Sequence, residues 1–237
     1  MIEETVRLIE VKVTITRYDP SNDQKPYPQS FAINVRENQT VLDVLLDLAA
    51  EHDPSIAFRR ACRSGICGAC AVTINGTPKL ACETLVSNAV ENGEIRIGPL
   101  PHFRVLKDLV VDMDLFLESL RGVVPWLVLD PHYDGKMEQS DLLKVVKSSE
   151  CILCGICQAD DSVKEGDPRA QLNPAAAVKA YRYAFDPRDV LGPERAKLAR
   201  DLGLLDRPLE AAGKMGCPKE IDFTGQIVPE LKRALRG

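Results

Sequence analysis

The sequence has no excess of basic residues and no long apolar run, and each absence excludes a class of function. Its 237 residues carry 30 Lys and Arg against 35 Asp and Glu and contain no basic stripe, so we expect no nucleic-acid partner. The longest uncharged apolar run covers residues 123–129, whereas a bilayer span needs about 20 apolar residues. We therefore expect no direct membrane span. The expected location is cytoplasmic, with contact to the cytoplasmic membrane only through partner subunits.

Catalytic motifs are also scarce. The sequence contains no P-loop, no G-x-G-x-x-G and no Ser/His/Asp arrangement, which argues against a nucleotide site or a hydrolytic centre. The three histidines, His52, His102 and His132, do not stand at ligand spacing beside a carboxylate or another histidine. We interpret them as solvated or capping residues. The sequence therefore predicts no catalytic residue in this chain.

The chain has instead eight cysteines in two groups. A disulfide framework is typical of much shorter secreted chains, so in a reducing compartment this grouping indicates metal sites. The first group is Cys62, Cys67, Cys70 and Cys82, and the second is Cys151, Cys154, Cys157 and the distant Cys217.

Periodicity predicts a strand-rich first part of the chain. Apolar residues alternate with polar ones over residues 11–15 and 31–35, which predicts two half-buried strands. The Asn75-Gly76 pair suits the tight turn of a further hairpin, and residues 95–97 predict a last strand. Helical spacing after Thr40, which fits an N-cap, predicts one helix crossing this sheet.

After about Pro101 the periodicity becomes helical. An apolar stripe predicts a helix over residues 105–120, with its acidic side chains on the solvated face. Three further helices, each with proline near its first position, are predicted over 174–184, 193–202 and 229–235. The predicted fold class is therefore α+β, with one domain over residues 1–104 and a mainly helical domain over residues 105–237.

The first cysteine group has the spacing of a plant-type [2Fe–2S] site. C-x4-C-x2-C lets three thiolates wrap one side of the cluster from a tight loop, while the distant Cys82 supplies the fourth. Gly65 and Gly68 allow unusual backbone angles and let amides approach the sulfurs. The alternatives are structural zinc and unrelated thiols. Zinc sites usually pair C-x2-C units at both ends, whereas Cys82 stands alone.

The second group has the spacing of a bacterial-ferredoxin [4Fe–4S] site. Cys151, Cys154 and Cys157 form C-x2-C-x2-C, and Cys217 is followed by Pro218. Three ligands on one loop hold one face of the cube, and the remote cysteine holds the remaining iron. A zinc site built from the same four cysteines is the alternative.

The whole chain resembles the iron–sulfur subunit of succinate dehydrogenase and fumarate reductase. The resemblance covers nearly all residues and includes, beside the cysteines, the segments Arg63-Ser64-Gly65-Ile66-Cys67-Gly68, Pro78-Lys79-Leu80-Ala81-Cys82, Asp108-Leu109-Val110-Val111-Asp112-Met113 and Ala180-Tyr181-Arg182. It implies an N-terminal plant-type ferredoxin (β-grasp) domain followed by a helical bacterial-ferredoxin-like domain. It also implies a partner flavoprotein that interconverts succinate and fumarate at FAD.

In this family, electrons pass through [2Fe–2S], [4Fe–4S] and [3Fe–4S] clusters to a quinone at a membrane anchor. The resemblance assigns the first four cysteines to the [2Fe–2S] cluster and the last four to the [4Fe–4S] cluster. The three cysteines that hold the third cluster are replaced here by Asp161, Arg207 and Gly213. We therefore expect no [3Fe–4S] cluster, and we expect Asp161 and Arg207 to form an ion pair at that place.

Side chains that face the quinone in the family are missing as well, because Glu165, Gly166 and Pro208 stand at those positions. The leading function is an electron-transfer subunit between an FAD-containing subunit and a second electron-accepting or membrane-anchor subunit. The acceptor is either a quinone or a soluble thiol/disulfide-handling subunit with its own clusters. The alternatives are an electron carrier for another flavoprotein, such as a 2-hydroxyacid dehydrogenase, and a cluster-based redox sensor.

Overall fold

The computed structural model describes residues 8–159, 173–206 and 216–236. The chain forms two compact units, Met1–Asp112 and Met113–Gly237. The division between them lies later in the chain than the predicted one at residues 104/105.

The first unit is built on a mixed five-stranded sheet. Its strands are β1 (Leu8–Arg17), β2 (Tyr27–Arg36), β3 (Ala71–Ile74), β4 (Thr77–Leu80) and β5 (Glu94–Gly98). They lie in the order β2-β1-β5-β3-β4. Strand β1 runs antiparallel to β2 and parallel to β5, while β3 is antiparallel to both β4 and β5. All the strands predicted from alternation and from the Asn75-Gly76 turn are confirmed, and both turn residues have positive φ.

Two helices belong to this unit, α1 (Val41–Glu51) and the short α2 (Val86–Ala89). The predicted N-cap of α1 is confirmed: Thr40 accepts a hydrogen bond from the Asp43 amide, and the Asp43 side chain accepts one from the Thr40 amide. This reciprocal capping fixes where the helix begins. The apolar face of α1 and the inward side chains of β1 are almost fully buried and form the core of the unit.

The helix predicted over residues 105–120 is wrong in its first part. The segment instead forms a small hairpin of β6 (Val105–Lys107) and β7 (Val110–Val111), and helix α3 covers only Asp114–Arg121. Asp108 lies at the turn with a φ of 47°, which a right-handed helix does not allow.

Asp108 was also expected on a solvated helix face, and this expectation is wrong because its side chain is 2% exposed. Its carboxylate accepts hydrogen bonds from Arg17 Nε at 3.0 Å, the Tyr18 amide at 2.9 Å and the Ala57 amide at 2.8 Å. These contacts tie the hairpin to β1 and to the segment that follows α1. The buried charge thus determines the local structure, and the apolar spacing does not.

The second unit is mainly helical. Beside α3 it contains α4 (Gln139–Ser149), α5 (Pro174–Ala184), α6 (Glu194–Asp201), a π-helical turn (Phe223–Ile227) and α7 (Val228–Ala234). Helices α5, α6 and α7 confirm the three proline-initiated helices of the prediction. Helix α4 was not predicted, because it buries only Val145 and Ser148 and therefore has a weak apolar period.

A mixed sheet in one unit and helices in the other confirm the α+β class. Among the described residues, no helix combines the length and the apolar character needed to cross a membrane.

Candidate metal centres

Two of the first four cysteines are brought together by the β3–β4 hairpin. Cys70 comes directly before β3, and Cys82 follows shortly after β4. Because Ala71 pairs with Leu80 in an antiparallel ladder, both cysteines lie at the open end of the hairpin. The Ala81 amide donates to the Cys70 carbonyl at 3.1 Å and continues this pairing up to the cysteines.

The start of α1 holds the segment that carries Cys82. The Val41 amide donates to the Thr84 carbonyl at 2.8 Å, and the Leu42 amide donates to the Ala81 carbonyl at 3.0 Å. First-turn amides have no acceptor within their own helix. Here the two amides donate to carbonyl groups on either side of Cys82. The start of the helix therefore fixes the backbone around this thiol.

Amide groups converge on the sulfur of Cys62. The amides of Ser64, Ile66 and Cys67 donate to Cys62 Sγ at 3.4, 3.4 and 3.3 Å. The bonds from Ser64 and Ile66 are the main causes that lower the pKa of this thiol to about 6. Such donors stabilise thiolate charge, so this loop is built to hold an anionic sulfur.

Gly65 has a backbone conformation that favours glycine, and the end of the exposed Glu83 side chain lies beside it. Its φ is 65°, and a Cβ at this position would lie 1.9 Å from Oε1 of Glu83. Its amide donates to Cys82 Sγ at 3.3 Å. The residue therefore lets the loop pass close to Glu83 and bring a donor to the fourth sulfur, which fits a cluster held by four thiolates.

The second four cysteines line a single cavity. Its remaining lining among the described residues is mostly apolar. The lining residues described are Cys151, Cys154, Cys157 and Cys217 with Ile152, Leu153, Gly155, Ala175, Pro218 and Lys219. Cys151 and Cys217 thus line the same cavity, although they lie 66 positions apart in the sequence. A cavity of thiols and apolar groups suits a compact inorganic cluster held by sulfur.

Turns and helix ends place these four cysteines. Cys151 follows the end of α4, and its amide donates to the Ser148 carbonyl at 3.5 Å. The Gly155 carbonyl accepts from the amide of Ala159 at 3.1 Å, which closes the turn that contains Cys157. On the distant segment, the Glu220 amide donates to the Cys217 carbonyl at 2.9 Å and turns the chain after the cysteine.

Helix α5 supplies one wall of the second cavity, and its start is firmly held. Asn173 is fully buried, accepts from the Ala175 amide at 2.8 Å and donates to the Phe116 carbonyl at 2.8 Å. Ala175 in the first turn lines the cavity. A small side chain there leaves room for the cluster.

The electrostatics of the second site differ from those of the first. Burial raises the pKa of Cys154 to about 12 and also raises the pKa of Cys151. The positive charge of Lys179 has the opposite effect on Cys151 and lowers its pKa. Protonated thiols are therefore favoured until metal supplies positive charge. Binding must displace protons, so the affinity of this site for iron depends on pH.

Across residues 8–159, 173–206 and 216–236, no three His, Cys, Asp or Glu side chains are arranged to hold a single metal ion. The residues expected at the third-cluster position, Asp161, Arg207 and Gly213, lie outside the described residues, as do Glu165, Gly166 and Pro208. The Asp161–Arg207 ion pair stays a prediction.

Sequence reasoning missed two residues beside these sites. Glu83 lies against Gly65, and Lys179 on α5 donates to the Cys151 carbonyl at 3.3 Å. Neither belongs to a cysteine motif. No signal in the sequence distinguishes them from solvated surface residues.

Comparison with known proteins first defines a class. Residues 12–118 match the family of 2Fe-2S iron-sulfur cluster binding domains. With a helical second unit that gathers four more cysteines, the chain belongs to the class of iron–sulfur electron-transfer proteins.

Whole-chain relatives identify the family. The chain is 40% identical over 195 residues to the mitochondrial succinate dehydrogenase (ubiquinone) iron-sulfur subunit 1 of Oryza sativa subsp. japonica, covering 79% of this chain and 69% of the relative. It is 32% identical over 233 residues to the fumarate reductase iron-sulfur subunit of Haemophilus influenzae, covering 92% and 90%. The fold is similar to a chain of the Mycobacterium smegmatis Sdh1 complex in the apo form, with a TM-score of 0.85, 25% identity and coverage of 96% and 95%. The chain therefore belongs to the family of succinate dehydrogenase and fumarate reductase iron–sulfur subunits.

Proposed function

We propose that this subunit carries electrons through two clusters, a [2Fe–2S] cluster held by Cys62, Cys67, Cys70 and Cys82 and a [4Fe–4S] cluster held by Cys151, Cys154, Cys157 and Cys217. The observation that carries the proposal is that each set of four thiols, predicted from spacing, comes together in its own unit. The clusters supply one-electron chemistry when bound. The chain supplies thiolates, amide donors and a largely apolar second site that set the potentials.

At one end of this electron path, we propose an FAD-containing partner subunit that interconverts succinate and fumarate and that donates or accepts the electrons. Membership of the succinate dehydrogenase and fumarate reductase family supports this partner. No catalytic residue is proposed in the chain itself, so the isolated subunit should not oxidise succinate.

At the other end of the electron path, we propose a second electron-accepting or membrane-anchor subunit. We also propose that no [3Fe–4S] cluster lies on this path. The support is the sequence, which has Asp161, Arg207 and Gly213 where the family has cysteines. Cluster irons are held by thiolates with few exceptions. Any association of this chain with the cytoplasmic membrane would depend on these partner subunits.

The test is to purify the complex that this chain forms in its host and to add succinate anaerobically. Reduction of both clusters by succinate, together with FAD in the complex, supports the proposal. Reduction by another substrate, such as a 2-hydroxy acid, would favour the carrier of a different flavoprotein. Absence of any flavoprotein partner would favour a redox sensor.

A second pair of assays distinguishes the two alternative electron acceptors. If a quinone analogue reoxidises the complex rapidly, the acceptor is a membrane quinone. If a disulfide substrate does so and the quinone does not, the acceptor is a thiol/disulfide-linked subunit.

A further inference from the structure

We propose that Lys179 is a positioning residue for electron transfer. Its positive charge raises the reduction potential of the cluster held by the second cysteine group. This inference rests on the proposed function, since it assumes that these four thiols hold a [4Fe–4S] cluster. It concerns a residue outside both cysteine motifs.

The position of Lys179 on α5 directs its side chain to Cys151, which lines the cluster cavity. It follows Ala175 by four residues, so the two share one face of the helix, and Ala175 lines the cavity. Helical side chains lean toward the N-terminus, which carries the lysine back along that face. Its Nζ accordingly lies 3.3 Å from the Cys151 carbonyl oxygen, to which it donates.

The surroundings of Lys179 keep its charge effective. Lys179 itself is half-buried. The other side chains of α5 from Pro174 to Tyr181 are buried. Its hydrogen-bond acceptor is a neutral carbonyl, and among the described residues Lys179 forms no ion pair. A charge shielded from water acts more strongly on its neighbours than an exposed one.

The effect of this charge has a definite sign. With a cluster bound by the four thiols, reduction by a flavoprotein partner would add one electron, and hence one negative charge, to this site. A nearby ammonium group stabilises the reduced form more than the oxidised form, which raises the potential.

The experiment compares full-length wild-type protein with Lys179→Met, Lys179→Arg and Lys197→Met, all with their clusters in place. Lys197 is a matched control, since it lies on α6 with its side chain 52% exposed and paired with Glu194. Iron and sulfide are counted first. The potential of each cluster is then measured by anaerobic redox titration followed by EPR.

We expect Lys179→Met to keep its iron and to lower the ratio of reduced to oxidised second cluster about tenfold at a given ambient potential, which corresponds to ~59 mV for a one-electron couple. Lys179→Arg should restore the wild-type value, and Lys197→Met should not differ from it. The potential of the first cluster should stay constant in all variants. An unchanged second-cluster potential in Lys179→Met, or an equal shift in Lys197→Met, overturns the inference.

Two further outcomes separate this inference from the proposed function. If Lys179→Met loses iron, Lys179→Gln is measured instead, because it keeps a donor for the Cys151 carbonyl without the charge. Loss of iron in both neutral variants would make Lys179 a structural residue and overturn the inference. Wild-type protein with about two irons and no cubane signal would contradict the proposed function itself.

Discussion

At the scale of single residues, Gly65 combines three roles in the first cysteine loop. It has a left-handed backbone, it passes close to Glu83, and its amide donates to Cys82 Sγ. The glycine was expected from the sequence to allow unusual angles. The contact with Glu83 was not, because nothing in the sequence relates the two side chains.

We expect Gly65→Ala to lose the first cluster and to keep the second. The positive φ would be strained, and the exposed Glu83 carboxylate, whose Oε1 would lie 1.9 Å from the added Cβ, would have to turn away. We expect the loop to shift and its hydrogen bond to Cys82 Sγ to weaken. Iron content and the EPR signal of the reduced protein measure this. Gly76→Ala is the control, since Gly76 also has positive φ but an added Cβ would meet nothing within 4 Å. If both variants keep the cluster, Gly65 does not shape the loop as argued.

At the scale of secondary-structure elements, the strands of the first unit and three helices of the second could be predicted from periodicity and end signals. Thr40 and the prolines at the starts of α5, α6 and α7 mark where these helices begin by local chemistry. The spacing of the cysteines also predicts which four come together. These features could be predicted because they depend on residues close in sequence.

The hairpin at β6 and β7 could not be predicted in this way. It depends on Arg17 and Ala57, which are far from Asp108 in sequence and supply two of the three donors to its carboxylate. A local apolar stripe cannot reveal such partners. Helix α4 was missed for a related reason, since only a small part of it faces the core.

We expect Asp108→Asn to destabilise the protein strongly. Its partner Arg17 is 7% exposed, and removing the carboxylate charge leaves the guanidinium buried with only part of its compensation, a loss of about 3 kcal/mol. Thermal unfolding of the cluster-loaded protein measures the change. Asp112→Asn is the control, because its partner Arg104 is 75% exposed and such pairs contribute at most about 1 kcal/mol. Equal effects in the two variants would contradict the role of Asp108.

The N-terminal cap of α1 gives a second prediction at this scale. Thr40→Ala removes the acceptor for the Asp43 amide and should cost about 1 kcal/mol, while Thr40→Ser keeps the hydroxyl and should cost little. A loss of this size lowers the thermal midpoint by about 2–4 °C in a chain of this length. Both variants should keep their iron, because the bonds to the segment around Cys82 come from the backbone. A midpoint that falls equally in both would show that the cap is not responsible.

At the scale of the whole molecule, the two cysteine groups belong to different compact units. Each group draws its thiols from within its own unit, so the two clusters should assemble independently. The chain belongs to the family of succinate dehydrogenase and fumarate reductase iron–sulfur subunits, and we propose that its two cysteine groups hold two centres.

Single cysteine variants test this independence. Cys82→Ala should lose about two irons and keep the second cluster, whereas Cys217→Ala should lose about four and keep the first. Metal analysis and EPR of the reduced proteins distinguish the two patterns. If either variant loses all its iron, the two units do not assemble their centres separately.

The central claim is that this chain holds two clusters and lacks a third. The most direct measurement is iron and acid-labile sulfide per chain, with EPR spectra of the oxidised and the reduced protein. We predict about six irons, two from one centre and four from the other, and no [3Fe–4S] signal in the oxidised protein. About nine irons with such a signal would contradict the account, because a third cluster would then be held by other ligands.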